Sequence, residues 1–222
     1  MCGRFSLFAS GNELAERFQL AESPLFEPRY NIAPTQSAAA VRATDAGRVL
    51  ARLRWGLIPS WASDPAIGNK LLNARSETVA EKPSFRSAFK QRRCLIPASG
   101  FYEWQKQGAG RKQPYFIRPR DGGLFAFAGL WERWHDPQGQ LIETCTILTT
   151  TANEVMRPLH ERMPVIIGAE ADALWLDASA SADALRALFV PFASEGMEAV
   201  PVGPWVSNAR NEGPKCLEPA RA

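Results

Sequence analysis

Residues 124–151 decide the architecture. They read Leu124-Phe125-Ala126-Phe127-Ala128-Gly129-Leu130-Trp131, then the break Asp136-Pro137-Gln138-Gly139, then Glu143-Thr144-Cys145-Thr146-Ile147-Leu148-Thr149-Thr150-Thr151. Both apolar runs are dense in aromatic and β-branched residues, which suit a pleated, packed surface, and the Pro-Gly break between them is turn chemistry. Working outward, Tyr115–Arg118 is a further strand set off by Asp121-Gly122-Gly123, and Met163–Ile167 follows as another. Cys94–Pro97 reads as a buried strand. Ala38–Arg42 and Arg48–Trp55 form a hairpin turning at Asp45-Ala46-Gly47, and Ala199–Val202 closes the sheet. Asn12–Leu20 is an amphipathic helix with Leu14 and Phe18 on one face. Leu71–Glu81 and Ser84–Arg92, parted by Pro83, read as two short helices or a helix and a loop. Glu170–Leu176 and Ser181–Phe189 read as helices, and Tyr30–Thr35 as a proline-bounded loop. Strands that cluster without regular βαβ alternation give an α+β fold, here a single domain over residues 1–222 built on antiparallel or mixed sheet. The polar segment from Asn208 to Ala222 is expected to be a mobile tail.

With 222 residues, 45% hydrophobic and 22% charged, the chain can bury one substantial core. No stretch approaches the length of a membrane span, and Met1-Cys2-Gly3-Arg4-Phe5 lacks the layout of a secretion signal, so a cytoplasmic protein without membrane contact is expected. Cys2, Cys94, Cys145 and Cys216 stand far apart with no CxxC pair, which suits neither zinc nor a disulfide framework. With no HExxH motif and no glycine-rich phosphate loop, neither a metal nor a cofactor is expected. The net charge is +3, but residues 1–111 carry 16 Lys and Arg against 9 Asp and Glu, or +7, and the remainder 10 against 14, or −4. That asymmetry points to a polyanion-facing side or, equally, to ordinary solvated charge.

Cys2 follows the initiator methionine and is small enough for Met1 to be removed, which would leave an α-amine and a thiol on one residue. With ordinary pKa values of about 7.7–8.0 and about 8.5, both are usable nucleophiles near neutrality. The amine condenses with an aldehyde to an imine, and the thiol adds to the imine carbon to close a five-membered thiazolidine. An internal cysteine has no such chemistry. A second residue of this kind is more often inert, and five further stretches give Cys2-Gly3-Arg4-Phe5 its meaning: Tyr30-Asn31-Ile32-Ala33-Pro34, Arg54-Trp55-Gly56-Leu57-Ile58-Pro59-Ser60-Trp61, Asn73-Ala74-Arg75-Ser76-Glu77-Thr78, Arg93–Trp104, and Leu159-His160-Glu161-Arg162-Met163-Pro164.

This ordered set resembles the SRAP family, the SOS response-associated peptidases, from Cys2 to about Pro219. The resemblance implies a barrel-like mixed sheet with short flanking helices. It also implies a monomer that binds single-stranded DNA containing abasic sites, becomes nucleoid-associated when bound, and captures the lesion through Cys2. Lyase chemistry through the imine and self-removal of Met1 belong to the same expectation. Under it Glu103 is the acid–base group beside Cys2, His160 helps to open the deoxyribose ring, and Asn73 orients the amine or the sugar. Read without the family, Glu103 is a surface carboxylate, His160 a structural histidine and Asn73 a helix cap. Thr149 is a candidate hydrogen-bonder, or simply a strand threonine. Arg4, Arg75, Arg86 and Arg162 suit phosphate contacts, Trp61 with the Pro34 loop suits base stacking, and Asn31 belongs to the same DNA-facing group. Two other readings stay open: an N-terminal cysteine hydrolase acting on amides, and a plain single-stranded DNA binding module whose cysteine is incidental.

Overall fold

In the computed structural model of the protein, which describes residues 2–108 and 110–220, the chain runs through β1 (Phe5–Leu7), α1 (Gly11–Phe18), β2 (Arg29–Ile32), β3 (Ser37–Thr44), β4 (Gly47–Trp55), β5 (Asn73–Arg75), α2 (Arg86–Gln91), β6 (Arg93–Ala98), β7 (Gly100–Gln107), β8 (Arg111–Pro119), β9 (Phe125–His135), β10 (Leu141–Thr151), β11 (Arg162–Pro164), α3 (Asp172–Leu176), α4 (Ala182–Arg186) and β12 (Met197–Pro201). Short 3-10 turns link several of them. The run that decided the fold class forms β9 and β10, paired antiparallel from Leu141 opposite His135 to Ile147 opposite Gly129.

These two strands belong to a closed ring in the order β10-β4-β3-β6-β9 and back to β10. Five strands cannot alternate direction all the way round a ring, so at least one neighbouring pair must be parallel. Here it is β4 with β10, Thr144 beside Arg54 and Cys145 beside Trp55. Beyond Trp55 the chain leaves the barrel at Gly56, whose φ of 127° suits glycine and whose added Cβ would lie 2.7 Å from the Gly68 carbonyl oxygen. It returns as β5, which continues the same parallel edge and sets Asn73 beside Ile147 and Arg75 beside Thr149. β11 then pairs antiparallel with the end of β10, Met163 opposite Thr150.

A second sheet, β12-β8-β7-β1-β2, is antiparallel throughout. Phe5 meets Trp55 edge-on at 5.2 Å and Phe127 at 6.2 Å, and Phe101 meets Phe127 at 5.8 Å. Such edge-to-face pairs contribute about 0.5–1.5 kcal/mol each beyond their buried area, and they seat this sheet on the barrel wall. Strand alternation turns Tyr102 and Phe116 to the sheet's other face, where Val202, Val206 and Cys216 cover them. The second sheet is therefore held between the barrel and the C-terminal segment.

The structure differs from the sequence reading in several places. Leu71–Glu81 is no helix: Asn73–Arg75 is a strand and the following residues form turns, because β10 offers an open edge that outweighs helix-compatible composition. The loop read from Tyr30 begins as the end of β2, and β1 and β7 are strands that had not been expected. Helix α1 starts at the capping box Ser10–Glu13 and ends at Gln19, which is left-handed with φ 53°. The segment expected to be a mobile tail carries a 3-10 turn over Pro214–Leu217, buries Cys216, and offers the carbonyls of Asn208 and Asn211 to the buried Asn31. Its last two residues lie outside those described. No helix among the described residues is long and apolar enough to cross a membrane.

Candidate active site

Cys2 reaches the seam between the two sheets because β1 is pinned on both sides. Phe5 lies opposite Phe101 of β7 and Ile32 of β2, and the Tyr102 amide donates to the Arg4 carbonyl at 2.9 Å. Carried two residues further, this register sets Gly3 against Glu103. Strand alternation turns Glu103 toward the barrel, away from the face that holds Tyr102. Cys2 itself is fully buried.

From the barrel side, the Asn73 amide nitrogen donates to the Cys2 carbonyl at 2.9 Å. Asn73 Oδ1 is buried and, among the described residues, has no hydrogen-bond donor facing it. A buried acceptor left without a donor costs stability, so this oxygen is suited to a donor brought by a ligand or by a processed amino terminus.

The electrostatics of the seam follow from burial. Glu103 is 7% exposed, and desolvation pushes its carboxyl up to about 7 against the pull of the chain's amino terminus. Burial also pushes the Cys2 thiol well above its ordinary range, and the Glu103 charge pushes it further. The thiol is held protonated, beside a carboxyl poised to exchange a proton near neutral pH.

His160 stands on the chain entering β11. Its Nδ1 accepts the Arg162 amide at 2.9 Å, so the neutral ring carries its proton at Nε2. Burial first, and the amino-terminal charge second, hold His160 below its ordinary pKa. Glu103, Pro158, Leu159 and His160 line one open groove, which puts the carboxyl and the imidazole on the same accessible space.

Arg162 makes a two-pronged ion pair with Glu77 and donates to the Thr149 carbonyl at 2.6 Å. That pair holds the Glu77 carboxyl below its usual range. The Thr149 carbonyl also accepts the Ser76 amide at 2.9 Å, while its hydroxyl faces the Ala74 carbonyl at 3.4 Å. Thr149 is fully buried and ties β5 and β11 to β10. Glu77, given no role in the sequence reading, is the anchor of this cluster. The one available signal was a carboxylate four residues beyond Asn73 in the same motif.

The structure thus brings Cys2, Asn73, Glu103, Thr149, His160 and Arg162 together, and treats the remaining candidates differently. Arg4 donates to Asn31 Oδ1 at 2.8 Å and to the Val206 carbonyl at 2.9 Å, with its guanidinium over the Trp104 ring. Asn31 is buried and its amide nitrogen is shared among the carbonyls of Val206, Asn208 and Asn211. Both are engaged inside the protein. Pro34 opens a turn whose next residue, Thr35, has φ 70° and whose Gln36 amide returns to the Ala33 carbonyl. A β-branched residue in that region is strained; Thr35 is exposed at this corner and Pro34 half-buried. Arg75 and Arg86 are exposed, and Trp61 is 60% exposed on the loop after β4. No group of His, Cys, Asp and Glu able to hold a metal occurs among the described residues.

Comparison with known proteins adds to this geometry. The family model for SOS response associated peptidase (SRAP) matches residues 1–209. The chain is 42% identical over 222 residues to the abasic site processing protein YoqW of Bacillus subtilis, covering 98% of this chain and 99% of that one. It is 35% identical to the abasic site processing protein HMCES of Mus musculus, covering 87% of this chain and 65% of that one. A crystallised protein from Bacteroides thetaiotaomicron superposes with a TM-score of 0.89 at 28% identity, covering 99% of this chain and all of that one.

Proposed function

The chain belongs to the SOS response associated peptidase family, and on that premise we propose that it binds single-stranded DNA and captures abasic sites covalently through Cys2 after removal of Met1. The observation that carries the proposal is the arrangement at the seam: a buried cysteine next to the amino terminus, its carbonyl held by Asn73, beside a carboxyl pushed up to about 7.

The chemistry follows from those groups. His160 hydrogen-bonds the sugar ring oxygen through Nε2–H as the hemiacetal opens: the C1′–O4′ bond breaks, the proton of the C1′ hydroxyl passes to O4′, and the aldehyde forms with the imidazole left neutral. The α-amine, relieved of a proton by Glu103, attacks the aldehyde carbon, and the carbinolamine loses its oxygen as water to give an imine. The Cys2 sulfur then bonds to the imine carbon while its proton passes to the nitrogen, by way of Glu103, closing the thiazolidine. The net change is aldehyde plus aminothiol to thiazolidine plus one water. With the aldehyde masked, elimination at the lesion is blocked and the strand is shielded. The same Glu103 proton, returned to the ring nitrogen, supports reversal. Asn73 Oδ1 supplies an acceptor for the amine or a sugar hydroxyl while its Nδ2 holds the backbone.

The test uses protein whose loss of Met1 is verified by intact mass, incubated with a single-stranded oligonucleotide carrying one abasic site. A species stable to denaturing electrophoresis, with the summed mass less one water, is expected. Cys2→Ala keeps the amine and loses the thiol, so it should give only an imine that survives after borohydride reduction. A correctly processed wild-type protein that gives no adduct overturns the proposal, as does a Cys2→Ala variant that crosslinks equally well without reductant.

A further inference from the structure

We propose that Lys106 and Lys112 of the β7–β8 hairpin and the aromatic pocket beside them, around Trp205 and Lys215, form an additional subsite for a flanking nucleotide of the same single-stranded DNA. This rests on the reading of the active site given above and extends it to residues outside the seam.

Two independent observations carry it. Lys106 and Lys112 face each other directly across the hairpin, and both are exposed. Like charges at directly opposed strand positions repel, and among the described residues neither lysine takes part in an ion pair. A phosphate lying across the pair would relieve that repulsion. Separately, Trp205 is 40% exposed and carries the Lys215 ammonium 4.3 Å from its ring. The pocket beside it is lined by Lys112, Lys215, Gln113, Asn208 and Asn211, with Glu218 at its edge; the Gln113 amide nitrogen is held by the Pro114 and Val202 carbonyls and that of Asn211 by the Trp205 carbonyl, which leaves the amide oxygens to face a base. An aromatic face ringed by amides and ammonium groups is the chemistry of a base with its phosphate.

The pocket adjoins the active-site groove, with Lys112 lining both. The Trp104 indole between them donates to Ser207 Oγ at 3.0 Å, tying the hairpin to the segment that presents Trp205. A strand leaving Glu103 and His160 across the hairpin therefore meets paired lysines and then the Trp205 pocket. That order matches a backbone followed by a splayed base.

The experiment measures affinity for intact fluorescein-labelled strands of increasing length, by anisotropy at several salt concentrations, for wild type, Trp205→Ala and the double variant Lys106→Gln/Lys112→Gln. Long strands should bind wild type more tightly than short ones. Trp205→Ala should lose at least about fivefold of the affinity for long strands and little of that for the shortest. The lysine variant should flatten the dependence of log affinity on log salt by about 0.7, the share of one phosphate on a single strand. If both variants, folded by circular dichroism, keep wild-type affinity and slope at every length, the inference fails. Covalent capture by the wild type of a lesion in the shortest strand is scored in parallel. Its loss refutes the active-site reading, whereas its survival with unchanged length dependence refutes only the subsite.

Discussion

At the scale of single residues, Glu103 holds the tension between stability and function. Its carboxyl has an ordinary value of 4.5 and is pushed up to about 7 in the fold, so the folded protein binds more protons than the unfolded chain between those pH values. The contribution is therefore fully present below about 4.5 and is lost as pH rises through about 7. Glu103→Gln, neutral at every pH, should match wild type near pH 4 and melt higher above pH 7, by up to about 3 kcal/mol from a shift of that size. Thermal melts of both proteins from pH 4 to 8 check this, and a constant difference across that range would show that Glu103 ionises normally. The same variant should capture abasic sites more slowly by about 10²-fold or more, since proton transfer is the role proposed for the carboxyl. Cys2 could be read from its position as an aminothiol, whereas the role of Glu103 came only with the family resemblance; read alone it was a surface carboxylate, and its burial overturns that reading. The internal roles of Arg4 and Asn31 were not legible, because an arginine aimed at phosphate and one aimed at a carbonyl 202 residues away read alike.

Among elements, the C-terminal segment works as a clamp on β1 and β2. Asn31 gathers the carbonyls of Val206, Asn208 and Asn211 with its amide nitrogen and receives Arg4 on its oxygen. Asn31→Ala leaves those buried groups short of partners, and each such loss costs about 1–3 kcal/mol. The variant should be destabilised by several kcal/mol in urea titration and cut readily by protease between about residues 203 and 213. Resistance to cleavage equal to wild type would mean that the apolar cover over Tyr102 and Phe116 holds the segment without Asn31. The long strands were legible because β9 and β10 carry an unbroken run of packing residues. β1 and β5, of three residues each, were not: their hydrogen bonds come from partners remote in sequence, so the local pattern could not reveal them.

Across the whole molecule, the closed barrel fixes which arginines are free to meet DNA. The sequence grouped Arg4, Arg75, Arg86 and Arg162 by residue type and divided the chain into a basic and an acidic half. The fold separates the four: Arg4 is spent on the C-terminal segment and Arg162 on Glu77 and Thr149, whereas Arg75 and Arg86 stand exposed and, among the described residues, outside any ion pair. A guanidinium already bridged to a carboxylate gains less from a phosphate, because it must first give up that partner. Replacing Arg75 or Arg86 by Ala should therefore weaken binding to intact single strands evenly across sequences and lower the salt slope by about 0.7 each, with melting temperature almost unchanged. Arg4→Ala should show the opposite pattern, a fall in melting temperature of several degrees with the salt slope nearly intact. Anisotropy titrations between 50 and about 300 mM salt, paired with thermal melts, separate the two classes. If Arg4→Ala lowers the slope while Arg75→Ala and Arg86→Ala leave it alone, the strand lies along the N-terminal face of the second sheet and not across β5 and α2.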